Sequence, residues 1–162
     1  AEHDAVFTAK IDGLCASAAT ALSLACASVE IVEGGFYMIH KAWTFAIGNA
    51  DDMRESAELL DKIDDVLVDG YAKRSGMSRE EILAAMTAET WYDAEEAVEA
   101  GFADKIIEIG GAKNEARHFD VAAYQNAPKA LIEAPASPSP PDWDAAAARR
   151  AARAKLYERS AA

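Results

Sequence analysis

The sequence predicts an α/β domain, and three observations carry that expectation. Apolar runs of strand length (Val6 to Ile11, Ala27 to Val32, Phe36 to Ile39, Lys105 to Ile109) alternate with segments whose apolar residues recur at helical spacing. Cap signals bracket those segments: Asn49, Ser78 and Asp93 stand before them, and Gly76 and Gly101 close two of them. The chain has 162 residues and is 51% hydrophobic, enough for one domain with a real core plus an appendage.

Composition removes several classes of function. A formal net charge of -12 argues against nonspecific nucleic-acid binding and against adhesion to anionic membranes. Cys15 and Cys26 both lie in apolar segments, with no second Cys or His at ligand spacing, so they read as buried reduced thiols and no metal is expected. There is no GxGxxG, P-loop or internal repeat, and no cofactor is expected. No apolar run is long enough to span a bilayer and no signal peptide is evident, so a cytoplasmic location is expected.

The elements follow in order. Ala1 to Asp4 read like the tail of an element whose start is absent, so the sequence is expected to be a fragment. Val6 to Ile11 is β-rich, a turn follows at Gly13, and Ser17 to Cys26 is an Ala- and Leu-rich helix. Ala27 to Val32 and Phe36 to Ile39 are strands around a Gly34-Gly35 turn, ending at His40. Lys41 to Gly48 alternates Trp43, Phe45 and Ile47 and reads as a strand or an extended arm whose apolar side needs cover. Asn49 caps a long helix from Ala50 to Arg74, with Met53, Ala57, Leu60, Ile63, Leu67 and Tyr71 on one stripe. A stripe that wide fits oligomer contact or plain core packing.

A capping box at Ser78 to Glu81 opens a helix through Met86, and residues 87–92 connect it to a helix that starts after Asp93. All five prolines fall between Ala127 and Asp142, the composition of a linker, and Trp143 to Arg159 reads as a basic Ala-rich helix. The expected division is therefore a domain over 1–110, an Ala/Pro-rich linker over 111–142 and a terminal helix over 143–162. The basic helix fits either an acidic partner surface or a solvated end.

Three side chains on three connectors suggest chemistry. Ser17 stands at a strand-to-helix junction among unpaired backbone N–H groups, where it serves either as a helix cap or as a nucleophile with the Ala18 N–H facing an oxyanion. His40, at a strand end, either points into a cleft or is simply packed. A serine nucleophile needs a base, and an imidazole base needs a carboxylate to hold its tautomer, which places Glu89 third.

The runs Ile11-Asp12-Gly13-Leu14-Cys15-Ala16-Ser17-Ala18-Ala19, Tyr37-Met38-Ile39-His40-Lys41-Ala42-Trp43 and Ala88-Glu89-Thr90-Trp91-Tyr92 through Asp104 closely resemble the Clp protease proteolytic subunit family. The resemblance is strongest to its phage and prophage branch, the Clp-like head maturation proteases, and covers about residues 5–109. It implies a ClpP/crotonase-like stacked βαβ spiral fold, with Ser17 as nucleophile, His40 as general base, Glu89 in the third position and Ala18 at the oxyanion. Better known members carry aspartate at the third position, so this carboxylate is one methylene longer. The resemblance also implies elements ahead of the nucleophile motif, so an N-terminally truncated form of the fold is expected here.

By the same resemblance, copies assemble as a homo-oligomeric ring through a handle formed by Trp43, Phe45, Ile47, Met53, Leu60, Ile63 and Leu67. The implied activity is that of an ATP-dependent Clp protease-like serine endopeptidase cleaving a peptide or protein substrate, a capsid or scaffold protein during head maturation, with an ATP-driven unfoldase as a further partner. The competing expectation is a non-catalytic ring-forming assembly module of the same fold.

Overall fold

A computed structural model describes residues 4–108, 121 and 124–132. Strand β1 (Thr8–Ile11) turns through Asp12 and Gly13 into β2 (Leu14–Ala16), helix α1 (Ala18–Ser23) follows, and β3 (Ser28–Val32) turns into β4 (Phe36–Ile39). The chain continues with α2 (Ala50–Ser75), α3 (Arg79–Thr87), β5 (Thr90–Tyr92), α4 (Ala94–Glu99), β6 (Lys105–Ile107) and α5 (Lys129–Ile132).

Each strand pair splits between two sheets. One sheet has the order β1-β3-β6 and is parallel throughout; the other has the order β2-β4-β5, with β2 parallel and β5 antiparallel to β4. The corners stack because they are small. Phe36 donates its N–H to the Gly13 carbonyl at 2.7 Å, and a Cβ on buried Gly35 would lie 2.8 Å from Ile31 Cγ1 and 3.0 Å from the Val32 carbonyl. The α/β expectation thus holds, as successive turns of strand pair and helix.

The core centres on Phe102, fully buried, which stacks on Tyr37 at 5.1 Å and meets Tyr71 and Tyr92 at 6.0 and 5.1 Å between ring centroids. Asp104 fastens its periphery. One carboxylate oxygen accepts the Val29 N–H and an Arg74 guanidinium N–H, both at 2.6 Å, which joins the start of β3 to the end of α2. The backbone bond chiefly, and then Arg74, hold this carboxyl below the usual carboxylate range. Both cysteines are free thiols, and burial pushes that of Cys15 up to about 12.

Helix α2 begins and ends as its sequence dictates. The Asn49 side chain accepts the Asp51 and Asp52 N–H groups while Asp52 accepts the Asn49 N–H, and Gly76 closes the helix in the left-handed region. Of its face, Asp64, Val68 and Tyr71 are buried and Leu67 packs partly against the core, whereas Met53 and Ile63 are exposed. The N-terminal half therefore stands free of this domain. Among the described residues, 41–47 pair with no strand, so the segment is the extended arm and not the strand. Trp43, Phe45 and Ile47 on it are 58%, 89% and 100% exposed.

Two further expectations are corrected. Leu14–Ala16, to which the sequence assigns no element of its own between the Gly13 turn and the helix, and Thr90–Tyr92, expected as a connector, are strands. At three residues each they are too short to show a period, and their partner β4 defines them. Within the expected linker, Val121 is buried and Lys129–Ile132 form a helical turn; residues 133–162, including the basic segment, lie outside the described residues. Among the described residues no helix is long and apolar enough to cross a membrane.

Two left-handed glycines make a controlled comparison. Gly76 (φ 80°) has open space around it, while a Cβ on Gly101 (φ 78°) would meet the Ser75 carbonyl oxygen at 2.7 Å and its Cα at 3.0 Å. We expect Gly76→Ala to cost about 1 to 2 kcal/mol, for conformation alone, and Gly101→Ala about 2 to 4 kcal/mol, because backbone must also move. Urea unfolding measures both, and equal losses would show that Ser75 does not confine Gly101.

Candidate active site

Ser17 joins β2 to α1 with φ 56° and ψ -124°, a conformation costly for any residue with a Cβ. Its two backbone groups are both fixed. The N–H donates to the Met38 carbonyl at 3.2 Å, and the carbonyl accepts from the Thr20 N–H at 3.0 Å and the Thr20 hydroxyl at 2.5 Å. Because the Thr20 proton is committed there, the Tyr71 hydroxyl donates to Thr20 Oγ1 at 2.5 Å. Ser23 Oγ donates to the Thr20 carbonyl at 2.7 Å and bonds the Tyr37 hydroxyl at 2.9 Å. Thr20 is fully buried, so this network lies in a medium where an unmade bond is costly.

The side chain is thereby free of the backbone. Ser17 occupies the N-cap position of α1 but makes no capping hydrogen bond, which removes the cap reading of this residue. Its Oγ lies 2.8 Å from His40 Nε2.

His40 follows β4 directly and is half-buried. Burial lowers its pKa below the ordinary value; the charges of Glu89 and Asp64 and the backbone at Lys41 oppose that shift without cancelling it. The neutral imidazole is favoured as a result, and in the tautomer that carries its proton on Nδ1 it accepts a proton at Nε2. Asp64, on α2, is 5% exposed, accepts the Ala42 N–H at 2.7 Å and pairs with Lys41 Nζ at 3.3 Å. It therefore ties the segment just after the histidine to α2. Sequence reasoning passed over Asp64 because it counted only apolar residues on the helix; its spacing to Val68 and Tyr71 was the available signal.

Glu89 sits just before β5 with φ 50°. Its Oε1 accepts the Trp91 indole N–H at 3.3 Å and the Asn126 N–H at 2.7 Å, and its Oε2 accepts the Gln125 N–H at 3.1 Å. Among the described residues, no hydrogen bond joins Glu89 to the His40 ring; the carboxylate acts on it as a neighbouring charge. The Tyr124 ring stands edge-on to both His40 and Trp91, at 5.6 and 5.7 Å. These contacts from residues 124–126 carried no signal in the sequence, which shows no pattern there.

Two open cavities meet at His40. One, of about 420 Å³, is lined by Ser17, Ala18, Trp43, Ile63, Leu67 and Tyr124 among others, so three residues of the expected handle also face the serine. The other, of about 390 Å³, runs past Glu89 and Asn126. Among the described residues, no group of three or more His, Cys, Asp or Glu is placed to hold a metal ion. What remains is a hydroxyl in contact with a neutral base, beside an open cavity of about 420 Å³ lined largely by apolar side chains.

Comparison with known proteins bears on this arrangement. Residues 3–110 match the family model described as Clp protease. Over 78 residues the chain is 35% identical to an ATP-dependent Clp protease proteolytic subunit-related protein 2 from the chloroplast of Arabidopsis thaliana, covering 48% of this chain and 28% of that one. A solved structure of a ClpP1 mutant from Listeria monocytogenes superposes with a TM-score of 0.53 at 23% identity, over 60% of this chain and 54% of that one. The likeness of that structure is one of fold. The chain spans well under two thirds of both relatives.

The site makes two measurable statements. The His40 ring, followed by NMR, should titrate with a midpoint below the ordinary value of about 6.5, and Asp64→Asn should lower it further by removing a charge that favours imidazolium. An upward shift would contradict the assigned role of Asp64. Thr20→Val leaves the Tyr71 hydroxyl and the Ser17 carbonyl each short of a partner, for an expected loss of about 1 to 3 kcal/mol in denaturant unfolding.

Proposed function

The chain belongs to the Clp protease family, and from that premise we propose that it is a serine endopeptidase that cleaves peptide bonds through an acyl-enzyme. The single observation that carries the proposal is the 2.8 Å contact between Ser17 Oγ and His40 Nε2. In this reading a peptide carbonyl enters the cavity beside Ser17. His40 takes the hydroxyl proton as Oγ attacks, and the oxyanion forms beside the N–H of Ala18, the first residue of α1. The imidazolium then gives its proton to the leaving amine, and water, activated by the same base, releases the acyl group. Glu89 supports the imidazolium by its charge.

The finer parts of the reading extend it. The exposed arm of Trp43, Phe45 and Ile47, with the outward residues Met53 and Ile63 and half-buried Leu60 and Leu67 of α2, forms the handle by which copies build a homo-oligomeric ring. The substrates are capsid or scaffold proteins of an assembling phage head, a reading supported by the likeness of the three motifs to the phage branch. An ATP-driven unfoldase delivers folded substrates. One observation favours the competing, non-catalytic assembly module: Glu89 gives its oxygens to Trp91, Gln125 and Asn126 and not to His40.

A fluorophosphonate probe separates the two. The assembled protein should gain a single adduct on Ser17, absent from Ser17→Ala, and His40→Ala should slow labelling by about 10³-fold or more. An assembled protein that takes no adduct at Ser17 supports the assembly module and refutes the peptidase.

A further inference from the structure

Residues 124–126 lie outside the span that matches the family, 3–110, yet they reach into the site. Two consecutive backbone N–H groups, of Gln125 and Asn126, take one oxygen each of the Glu89 carboxylate, at 3.1 and 2.7 Å. The Asn126 side chain donates to the Ala88 carbonyl at 2.7 Å, so the strap holds the connector at Ala88 as well as at Glu89. Just before them, Tyr124 sets its ring against His40 and Trp91 and lines both cavities. Val121, whose carbonyl accepts the Tyr124 N–H at 3.1 Å, is buried and anchors the segment. A glutamate has one more rotatable bond than an aspartate, and three donors remove that freedom here.

We infer that residues 124–126 form a positioning strap, supplied by the same chain from beyond the family domain, that fixes the Glu89 carboxylate beside His40 and walls the Ser17 cavity with Tyr124. The inference rests on the peptidase reading for its catalytic meaning. Asn126 and Gln125 act through Glu89 and touch no reacting atom, so they are positioning residues; Tyr124 packs edge-on against the His40 ring and bounds the space where substrate lies. The charged and titratable groups that act on or contact His40 are Asp64 from α2, Glu89 from the connector and Tyr124 from the strap, and the Lys41 ammonium is paired with Asp64. Of the two carboxylates that act on the ring, only Glu89 depends on the strap.

The test uses the full chain. Asn126→Pro removes the shorter of the two strap donors; Asn126→Ala keeps that N–H and gives up the side-chain bond; Tyr124→Ala opens the cavity wall. Circular dichroism and thermal unfolding check that each variant is folded. Asn126→Pro should lower kcat for a short fluorogenic peptide, and the rate of fluorophosphonate labelling at Ser17, by about 10- to 100-fold, the range that one hydrogen bond to a charged group corresponds to.

Asn126→Ala should lose no more than about threefold, and Tyr124→Ala should act on KM. Independently of activity, the NMR midpoint of His40 should fall in Asn126→Pro, because the Glu89 charge that raises it is no longer held. An unchanged midpoint overturns the strap whether or not the protein is a peptidase, and so does a rate that rises in Asn126→Pro. A parent chain that is not labelled at Ser17, with the midpoint still displaced in Asn126→Pro, overturns the peptidase reading and leaves the strap standing.

Discussion

The left-handed backbone of Ser17 is the constraint on which the rest depends. A non-glycine residue in that region is strained by about 1 to 3 kcal/mol and persists only where its surroundings over-determine it. Here the parallel pairing of β2 with β4 puts Ala16 opposite Met38, so the Met38 carbonyl meets the Ser17 N–H. The first turn of α1 folds Thr20 back onto the Ser17 carbonyl, and Tyr71 from α2 completes the buried chain beneath. One sheet and two helices thus converge on one residue. With both backbone groups occupied and the Cβ turned by the strained φ, the hydroxyl is left to the histidine.

The histidine answers to two opposed influences. Burial favours the neutral ring, and two carboxylates on different elements favour the cation. Neither carboxylate is a hydrogen-bond partner of the ring among the described residues, so their effect is one of charge at a distance, in a site screened on one side by Tyr124 and Trp91. Asp64 adds mechanical definition, since it holds the Lys41 side chain and the Ala42 N–H just past the imidazole.

What could be read from the sequence follows from where each residue stands. Ser17 and His40 lie where the hydrophobic period changes or a strand stops, and such junctions are visible in one dimension. The caps at Asn49, Ser78 and Asp93 were equally legible, because their partners are three residues away. Strands β2 and β5 were not, since pairing with β4 and not local pattern makes them strands. The surroundings of Glu89 were hidden for a stronger reason: its donors come from 36 and 37 residues later, in a stretch without periodicity. Ile63 and Leu67 were legible as apolar and not as cavity lining, because a helical stripe does not say which neighbour covers each of its turns.

The closure of the parallel sheet has a kinetic consequence. The pairing of β3 with β6, fastened where the Val29 N–H meets Asp104, joins positions 75 residues apart, and none of the intervening helices pairs with either strand through backbone bonds. Loop-closure entropy must be met before such contacts return anything, so topology of this kind folds slowly for its size. Until residue 107 has joined, one edge of β3 lacks its partner strand. The last strand of the sheet therefore sets the pace at which the central strand, β3, becomes safe from pairing with another chain.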